Sequence, residues 1–215
     1  MNGDRSVGRA VAWTASPGAG GGLSRRELVS WGFGGGACAT LRAVPALADA
    51  SAPSTPDTLS ALLSVELLAV FAYAHVSPHP ELTPTVASVT AKFLAHEQLH
   101  VQLLTGELAK LGVAPPTGPS TAAAADALLN AHGGSGSFSA LHNQRDCLKI
   151  LQQVESVLEG GYFRAIRNEV SEPLLIHTIA EIMAAEAQHW TALTGLRHPG
   201  IIERAVPSAF VEGMY

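Results

Sequence analysis

Two short Glu-x-x-His segments are the residues of this chain best suited to chemistry: Glu97 with His100, and Glu186 with His189. Side chains three residues apart lie on one face of an α-helix, so each segment would present a carboxylate beside an imidazole. Carboxylates and imidazoles are common ligands of transition-metal ions. One such pair alone means little, because the chain has 18 acidic residues and 9 histidines. The second copy makes the pattern informative.

The two copies belong to an internal repeat with an offset of 89 residues. The same offset relates Glu66 to Glu155 and Tyr73 to Tyr162. In each half a Glu is followed seven residues later by Tyr, and 31 residues later by the Glu-x-x-His segment. These four identities at one offset, mostly within apolar segments, are hard to obtain by chance. We therefore interpret the chain as two similar helix pairs.

The repeat predicts that carboxylates and imidazoles converge in an apolar core. The six candidate metal ligands are Glu66, Glu97, His100, Glu155, Glu186 and His189. Four buried carboxylates cannot all remain ionised without partners, because burying charge is costly. No Lys or Arg lies between Asp57 and Pro80, or between Leu174 and Leu196, to neutralise them. Two divalent cations would balance the four charges, so the sequence predicts a dinuclear site.

The ligand types favour particular metals. An oxygen-rich site with one imidazole for each ion suits Fe or Mn. Zinc prefers four-coordinate nitrogen and sulfur surroundings, and magnesium keeps more of its water. Two Fe ions, or two Mn ions, are therefore the predicted cofactors. Open positions on iron would bind O2 or peroxide.

Four helices would position these residues. Pro56 and Pro84 each follow a threonine, Thr55 and Thr83, that can cap a helix, and proline suits the first helical position. Gly112 suits the left-handed end of a helix. The predicted helices cover residues 56–75, 84–111, 139–170 and 173–195, and no segment shows strand-like alternation. Two glycines inside the third, Gly160 and Gly161, predict a close helix approach or a local bulge.

The predicted fold class is all-α, a four-helix bundle of two helix pairs joined by a long crossover. Residues 113–138 are rich in Pro, Gly, Ser and Ala, with one short helical turn predicted at 122–129. A connection of this length would run along the bundle and make the second and third helices parallel. The bundle is expected over residues 57–196, with a C-terminal tail at 197–215.

Residues 1–48 have the features of an export signal. Arg25 and Arg26 precede a mildly apolar run over residues 28–41, and Ala46 and Ala48 form a small-x-small cleavage site. We predict a twin-arginine (Tat) signal peptide over 1–48, a linker over 49–56, and a mature protein in the periplasm, cell envelope or extracellular space. The apolar run is shorter than the ~20 residues of a spanning helix, so no stable membrane anchor is expected.

Composition excludes other classes of function. The net charge is −5 and no basic stripe is present, which argues against a nucleic-acid partner. Of the two cysteines, Cys38 lies in the predicted signal peptide and leaves Cys147 unpaired. No disulfide framework is therefore predicted. Whether the chain forms a homo-oligomer stays open.

The ligand pattern resembles the ferritin-like superfamily of di-iron carboxylate proteins, and bacterioferritin and rubrerythrin-type sites most closely. The resemblance implies that Glu97 and Glu186 bridge two ions. It implies terminal positions for His100, His189, Glu66 and Glu155. It also implies an oxidoreductase or ferroxidase that reacts with O2 or peroxide. A secretion signal is unusual for a storage cage and no rubredoxin segment is present, so exported ferritin-like domains are the better comparison.

Several alternatives stay open at the level of sequence. The chain is either an O2- or peroxide-reactive oxidoreductase, a non-catalytic metal-binding, storage or structural protein of the cell envelope, or a metal-free helical scaffold. Glu159 competes with Glu155 as the third-helix ligand, and the 89-residue offset favours Glu155 because Val70 is the counterpart of Glu159. Catalytic residues are not assigned. Tyr73 and Tyr162 either serve the site, by donating hydrogen bonds to it or relaying an electron, or pack in the core with their hydroxyls satisfied. His96 is expected at the rim or surface.

Overall fold

The computed structural model describes residues 53–205, apart from the side chains at 168 and 169. Within this range the chain has five α-helices and no β-strand: α1 (Thr55–Val76), α2 (Pro84–Lys110), α3 (Ala122–Ala131), α4 (Gln144–Arg164) and α5 (Pro173–Arg197). The predicted all-α class is confirmed. The predicted signal peptide over 1–48 lies outside the described residues, as do residues 206–215.

Local sequence explains how α1 and α2 begin and where α2 ends. Ser54 caps α1 and forms a capping box with Asp57, so α1 begins one residue earlier than predicted and Thr55 is its first residue. The Ser54 hydroxyl accepts from the Asp57 backbone N–H at 3.4 Å and donates to Asp57 Oδ2 at the shorter distance of 2.5 Å. Thr83 caps α2 as predicted. Gly112 follows α2 with φ +70, the left-handed conformation expected of it.

The core forms where α1 packs against α2 and α4, and where α4 packs against α5. Leucines one or more turns from the candidate ligands are completely buried in it: Leu63, Leu104, Leu158 and Leu193. Burying a leucine contributes about 1.5–3 kcal/mol of transfer free energy. Each of the four long helices therefore contributes a buried leucine beside its candidate ligands, in agreement with the predicted apolar core.

The crossover between α2 and α4 holds more structure than predicted. Thr121 caps α3, whose run of alanines favours helix over ten residues rather than a single turn. Ala125 and Leu129 are fully buried, since α3 packs against α1 and α4. Asp126 fixes the next turn, because its Oδ1 accepts a hydrogen bond of 2.7 Å from the backbone N–H of Phe138.

The third long helix is shorter than the predicted span of 139–170. A 3₁₀ turn occupies Phe138–Ala140, and Asn143 caps α4, which therefore begins at Gln144. A π-helical turn over Ala165–Glu169 follows α4 directly. The bulge thus lies a turn beyond the two glycines. Gly161 itself faces α1, where a Cβ atom would meet Leu62 Cδ2 at 3.5 Å, an ordinary packing distance.

Helix α1 is also long and apolar enough, by length and composition, to cross a membrane. Among the described residues it is the only helix with this property. Core helices of globular proteins have the same length and composition. In this chain α1 packs on three other helices. Half of its residues are buried, among them Leu59, Leu68 and Tyr73.

Candidate metal centre

All six predicted ligands come together between α1, α2, α4 and α5. The four carboxylate side chains, those of Glu66, Glu97, Glu155 and Glu186, are completely buried. The His100 and His189 side chains are 13% and 2% exposed. Each long helix contributes at least one member, and α2 and α5 each contribute a Glu and a His. The 89-residue repeat therefore corresponds to a cluster in space.

The cluster consists of two overlapping groups. One contains Glu66, Glu97, His100 and Glu186, and the other contains Glu97, Glu155, Glu186 and His189. In each group the candidate ligand atoms all lie within 4.8 Å of one another. Glu97 and Glu186 belong to both groups, whereas the other four residues belong to one each. This arrangement has the form of two adjacent cation sites that share two carboxylates.

The two histidines occupy nearly equivalent positions. His100 Nδ1 lies 2.9 Å from Glu186 Oε1 and 3.3 Å from Glu97 Oε2. His189 Nδ1 lies 2.9 Å from Glu97 Oε1 and 3.4 Å from Glu186 Oε2. Each imidazole nitrogen thus approaches both shared carboxylates. Glu66 Oε2, at 3.6 Å, completes the first group, and Glu155 Oε1, at 3.7 Å, completes the second.

Unsatisfied atoms in the cluster fit a cation better than a hydrogen-bond network. Both oxygens of Glu186, one oxygen of each other clustered carboxylate, and His189 Nδ1 are buried without a hydrogen-bond partner. His189 Nδ1 and Glu97 Oε1 are only 2.9 Å apart, yet their geometry is not that of a hydrogen bond. Buried polar atoms are rarely left in this condition. Divalent cations between them would satisfy these atoms.

Without a bound cation, protons must balance the charge of the cluster. Burial raises the pKa of Glu66 to about 8 and raises that of Glu186 well above its ordinary value, the latter with a further contribution from Glu97. Burial opposes charge on the histidines, but the surrounding carboxylates outweigh it and raise the pKa of His100 and His189 to about 12. Burial also opposes ionisation of Glu97, whose pKa both imidazoles nevertheless lower to about 2. Protons could therefore balance the charge of the cluster where cations do not.

The two repeated tyrosines hold the two unshared carboxylates. The Tyr73 hydroxyl donates to Glu155 Oε1, and the Tyr162 hydroxyl donates to Glu66 Oε1. Each tyrosine therefore reaches the Glu of the other half, not the Glu seven residues before it. Both tyrosines are fully buried, so they also fill the core. Both tyrosines thus combine a hydrogen bond to a clustered carboxylate with packing in the core, and a role for them in the chemistry of the site stays a prediction.

Glu159 lies outside both candidate ligand groups. It is 6% exposed, and burial, followed by the charge of Glu155, raises its pKa. The structure thus brings Glu155, not Glu159, to the carboxylates of the other helices. This placement agrees with the 89-residue offset.

His96 is a residue whose contact the sequence did not reveal. It is partly buried, and its Nδ1 lies 2.9 Å from His189 Nε2, with the two rings stacked at 5.2 Å. The position 89 residues later is Ala185, so the repeat carried no signal for it. His189 therefore faces the carboxylates through Nδ1 and His96 through Nε2. An imidazole partner of this kind fixes the orientation and tautomer of a metal-binding histidine.

The helices and the cluster together define an all-α protein with a buried carboxylate and histidine centre. A model of the ferritin-like domain family matches residues 54–198. The chain therefore belongs to the ferritin-like domain family. Searches among curated proteins and among solved structures gave no match. The predicted resemblance to the ferritin-like superfamily is confirmed, and the likeness to bacterioferritin and rubrerythrin sites stays a hypothesis.

Proposed function

We propose that this protein binds two Fe or two Mn ions at the six clustered residues and uses them to react with O2 or peroxide. The overlap of the two ligand groups at Glu97 and Glu186 carries the proposal. Two cations sharing two carboxylates would lie only ~3.5–4 Å apart. Four carboxylates would balance the charge of two divalent ions.

Each protein group has a definite part in this proposal. Glu97 and Glu186 would be shared between the two ions, and each of the other four proposed ligands would hold one ion. Tyr73 and Tyr162 donate hydrogen bonds that orient Glu155 and Glu66. Bound iron would supply the electrons for reduction of O2 or peroxide, and Fe(II) or a small reductant would be oxidised. The buried leucines around the cluster exclude water, which strengthens every charge interaction inside it.

A second candidate is a metal-binding or storage role without turnover. The completely buried carboxylates favour it, because structural metal sites are closed whereas catalytic sites keep a position open to substrate. Under this alternative the ions stabilise the bundle by linking its four long helices.

Metal analysis and oxygen uptake test both candidates. Purified protein reconstituted with Fe(II) without oxygen should bind two ions per chain, and no bound metal would overturn both. Oxygen consumption when Fe(II) is added separates oxidation from storage. Glu97→Ala should weaken both ions, since each loses a bridge, and Glu66→Ala should chiefly release one. Lys110, which is exposed and pairs with Glu107, offers a control in Lys110→Ala that should keep both ions.

We also propose export by the Tat pathway. The paired Arg25 and Arg26 before an apolar run support it. The Tat route moves folded proteins, so metal could be inserted before export. Replacing both arginines by lysine should retain the precursor in the cytoplasm, whereas undiminished export of that variant would show that residues 1–48 are not a Tat signal. Immunoblots of fractionated cells measure the outcome.

A further inference from the structure

A second polar cluster surrounds a cavity that is lined by residues of α4, of the C-terminal part of α5 and of the segment that follows α5. The cavity has a volume of about 400 Å³. Its walls include Gln152, Trp190, Thr194, Arg197, His198 and Arg204. Among the described residues that line it, two are arginines, one is a histidine, and none is an aspartate or glutamate. The cavity is therefore basic, although the chain as a whole has a net charge of −5.

A buried hydrogen-bond network holds Arg197 in place at this cavity. Arg197 Nη1 donates to Gln152 Oε1, and Gln152 Nε2 donates to Thr194 Oγ1. The Thr194 hydroxyl in turn donates to the Trp190 carbonyl oxygen at 2.9 Å. Gln152 and Thr194 are each 5% exposed. The guanidinium group is thus fixed before any ligand binds, which reduces the entropy that binding would cost.

The charge of Arg197 has no counterion in the described part of the chain. Its Nε is buried without a hydrogen-bond partner. None of the ion pairs between described residues includes Arg145, Arg197 or Arg204. Burial, followed by the charge of Arg145, lowers the pKa of Arg197. A partly buried cation with a free donor and cationic neighbours is costly, unless an anion joins it.

We propose that this cavity binds a small oxyanion, a carboxylate or a phosphate, with Arg197 as its principal donor. A guanidinium group offers a planar fork of N–H donors that matches both kinds of oxyanion. Arg204, whose Nη1 lies 3.4 Å from His198 Nδ1, adds a second positive charge and further donors beside it. Trp190 supplies an apolar wall for the uncharged part of the ligand. The site uses none of the six proposed metal ligands.

Fluorescence of Trp190 provides a local test. The chain has three tryptophans, so Trp13→Phe and Trp31→Phe leave Trp190 as the only one. The double variant is freed of metal with a chelator, and the chelator is then removed. It is titrated with inorganic phosphate, with succinate, and with succinamide as the uncharged counterpart of succinate. We expect a saturable change with phosphate or succinate and none with succinamide. The better of the two anions identifies the preferred oxyanion.

Variants then assign the binding to Arg197. Arg197→Gln should weaken anion binding by about tenfold or more, as expected for loss of a charged hydrogen-bond donor. Arg204→Gln, on an exposed turn, should weaken anion binding less than Arg197→Gln does. It is the variant to compare with the control if Arg197→Gln melts at a lower temperature than the unchanged protein. Arg167→Gln is the matched control, because Arg167 is exposed and lies over the Phe163 ring instead.

Three results would overturn the proposal. They are no saturable response to either anion at millimolar concentrations, an equal response to succinamide, and equal weakening by Arg197→Gln and Arg167→Gln. Because the titration uses metal-free protein, failure of the dinuclear proposal would leave its outcome unchanged. Conversely, loss of anion binding in Arg197→Gln with two ions still bound would separate the two sites.

Discussion

Loading the cluster with metal should release at least about three protons per chain near neutral pH. Without a cation, Glu66 has a pKa of about 8, Glu186 has one well above its ordinary value, and His100 and His189 have pKa values of about 12. Glu66, His100 and His189 therefore each hold a proton at pH 7, and the raised pKa of Glu186 favours a proton there as well. Metal ligands must give up such protons to bind.

The number released should depend on pH in a definite direction. Glu66 is already ionised above its pKa of about 8, so metal loading at a pH above 8 should release about one proton fewer than at pH 7. At pH 6 the number released should be no lower than at pH 7. We would titrate Mn(II) into chelator-treated protein in unbuffered salt without oxygen, and measure the base needed to hold the pH constant. Mn(II) is preferable to Fe(II), since oxidation of iron would itself change the proton count.

Two variants test the source of the protons. Glu66→Gln should release about one proton fewer at pH 7 for the same bound metal, since an amide has none to lose. Glu159→Gln should match the unchanged protein, because Glu159 lies outside both ligand groups. Release of fewer than about two protons while two Mn ions bind would refute the charge balance described for the cluster.

Three other perturbations give further expectations. Without metal, the free energy of unfolding should fall between about pH 5 and pH 8. The pKa of Glu66 is about 8 in the folded protein and 4.5 in the unfolded chain, so the folded state holds this proton more tightly. The resulting stabilisation is complete below pH 4.5 and is lost as the pH rises to about 8, at about 1.4 kcal/mol per pKa unit. Equal melting temperatures at both pH values would contradict the clustering. Metal analysis should find that Glu155→Ala loses about one ion per chain and that Glu159→Ala loses none. The opposite result would show that the 89-residue register is wrong. His96→Ala should weaken one ion by about tenfold or more, and His96→Asn should recover most of that affinity by accepting from His189 Nε2–H. If His96→Ala binds both ions normally, the two rings merely pack together.

The repeat made the centre predictable because helical geometry converts a sequence offset into a position in space. Equal spacing of Glu, Tyr and Glu-x-x-His in both halves places equivalent atoms at equivalent turns of equivalent helices. The helix ends were predictable for a local reason, since the cap at Thr83, the proline at Pro173 and the left-handed Gly112 act within a few residues. The start of α1 was missed by one residue because Ser54 and Thr55 can both cap, and only the Asp57 side chain decides between them.

Contacts between helices were not predictable in the same way. Tyr73 and Glu66 lie on the same side of α1, but the Tyr73 hydroxyl donates to Glu155 on α4. That choice depends on the separation of two helices, which no spacing within one helix contains. The basic cavity gave no signal either, because Arg197 and Gln152 are 45 residues apart and form no motif. The crossover helix α3 was underestimated, since its burial against α1 and α4 adds to the propensity of its alanines.

The two halves of the centre are equivalent at the carboxylates and unequal beyond them. Glu66 and Glu155 each receive a tyrosine hydroxyl from the opposite half, so the repeat extends to these partners. The equivalence of the two halves ends at the histidines. His189 has the His96 ring against its Nε2, whereas the repeat provides Ala185 at the corresponding place for His100, and alanine offers no ring or polar group. Each proposed ion has one imidazole ligand, so this difference falls on one ion alone. Two ions with matched carboxylates but unequal imidazole support should bind with unequal affinity, the one at His189 being the tighter. The residue that distinguishes the two halves is therefore His96, which is not one of the six proposed ligands.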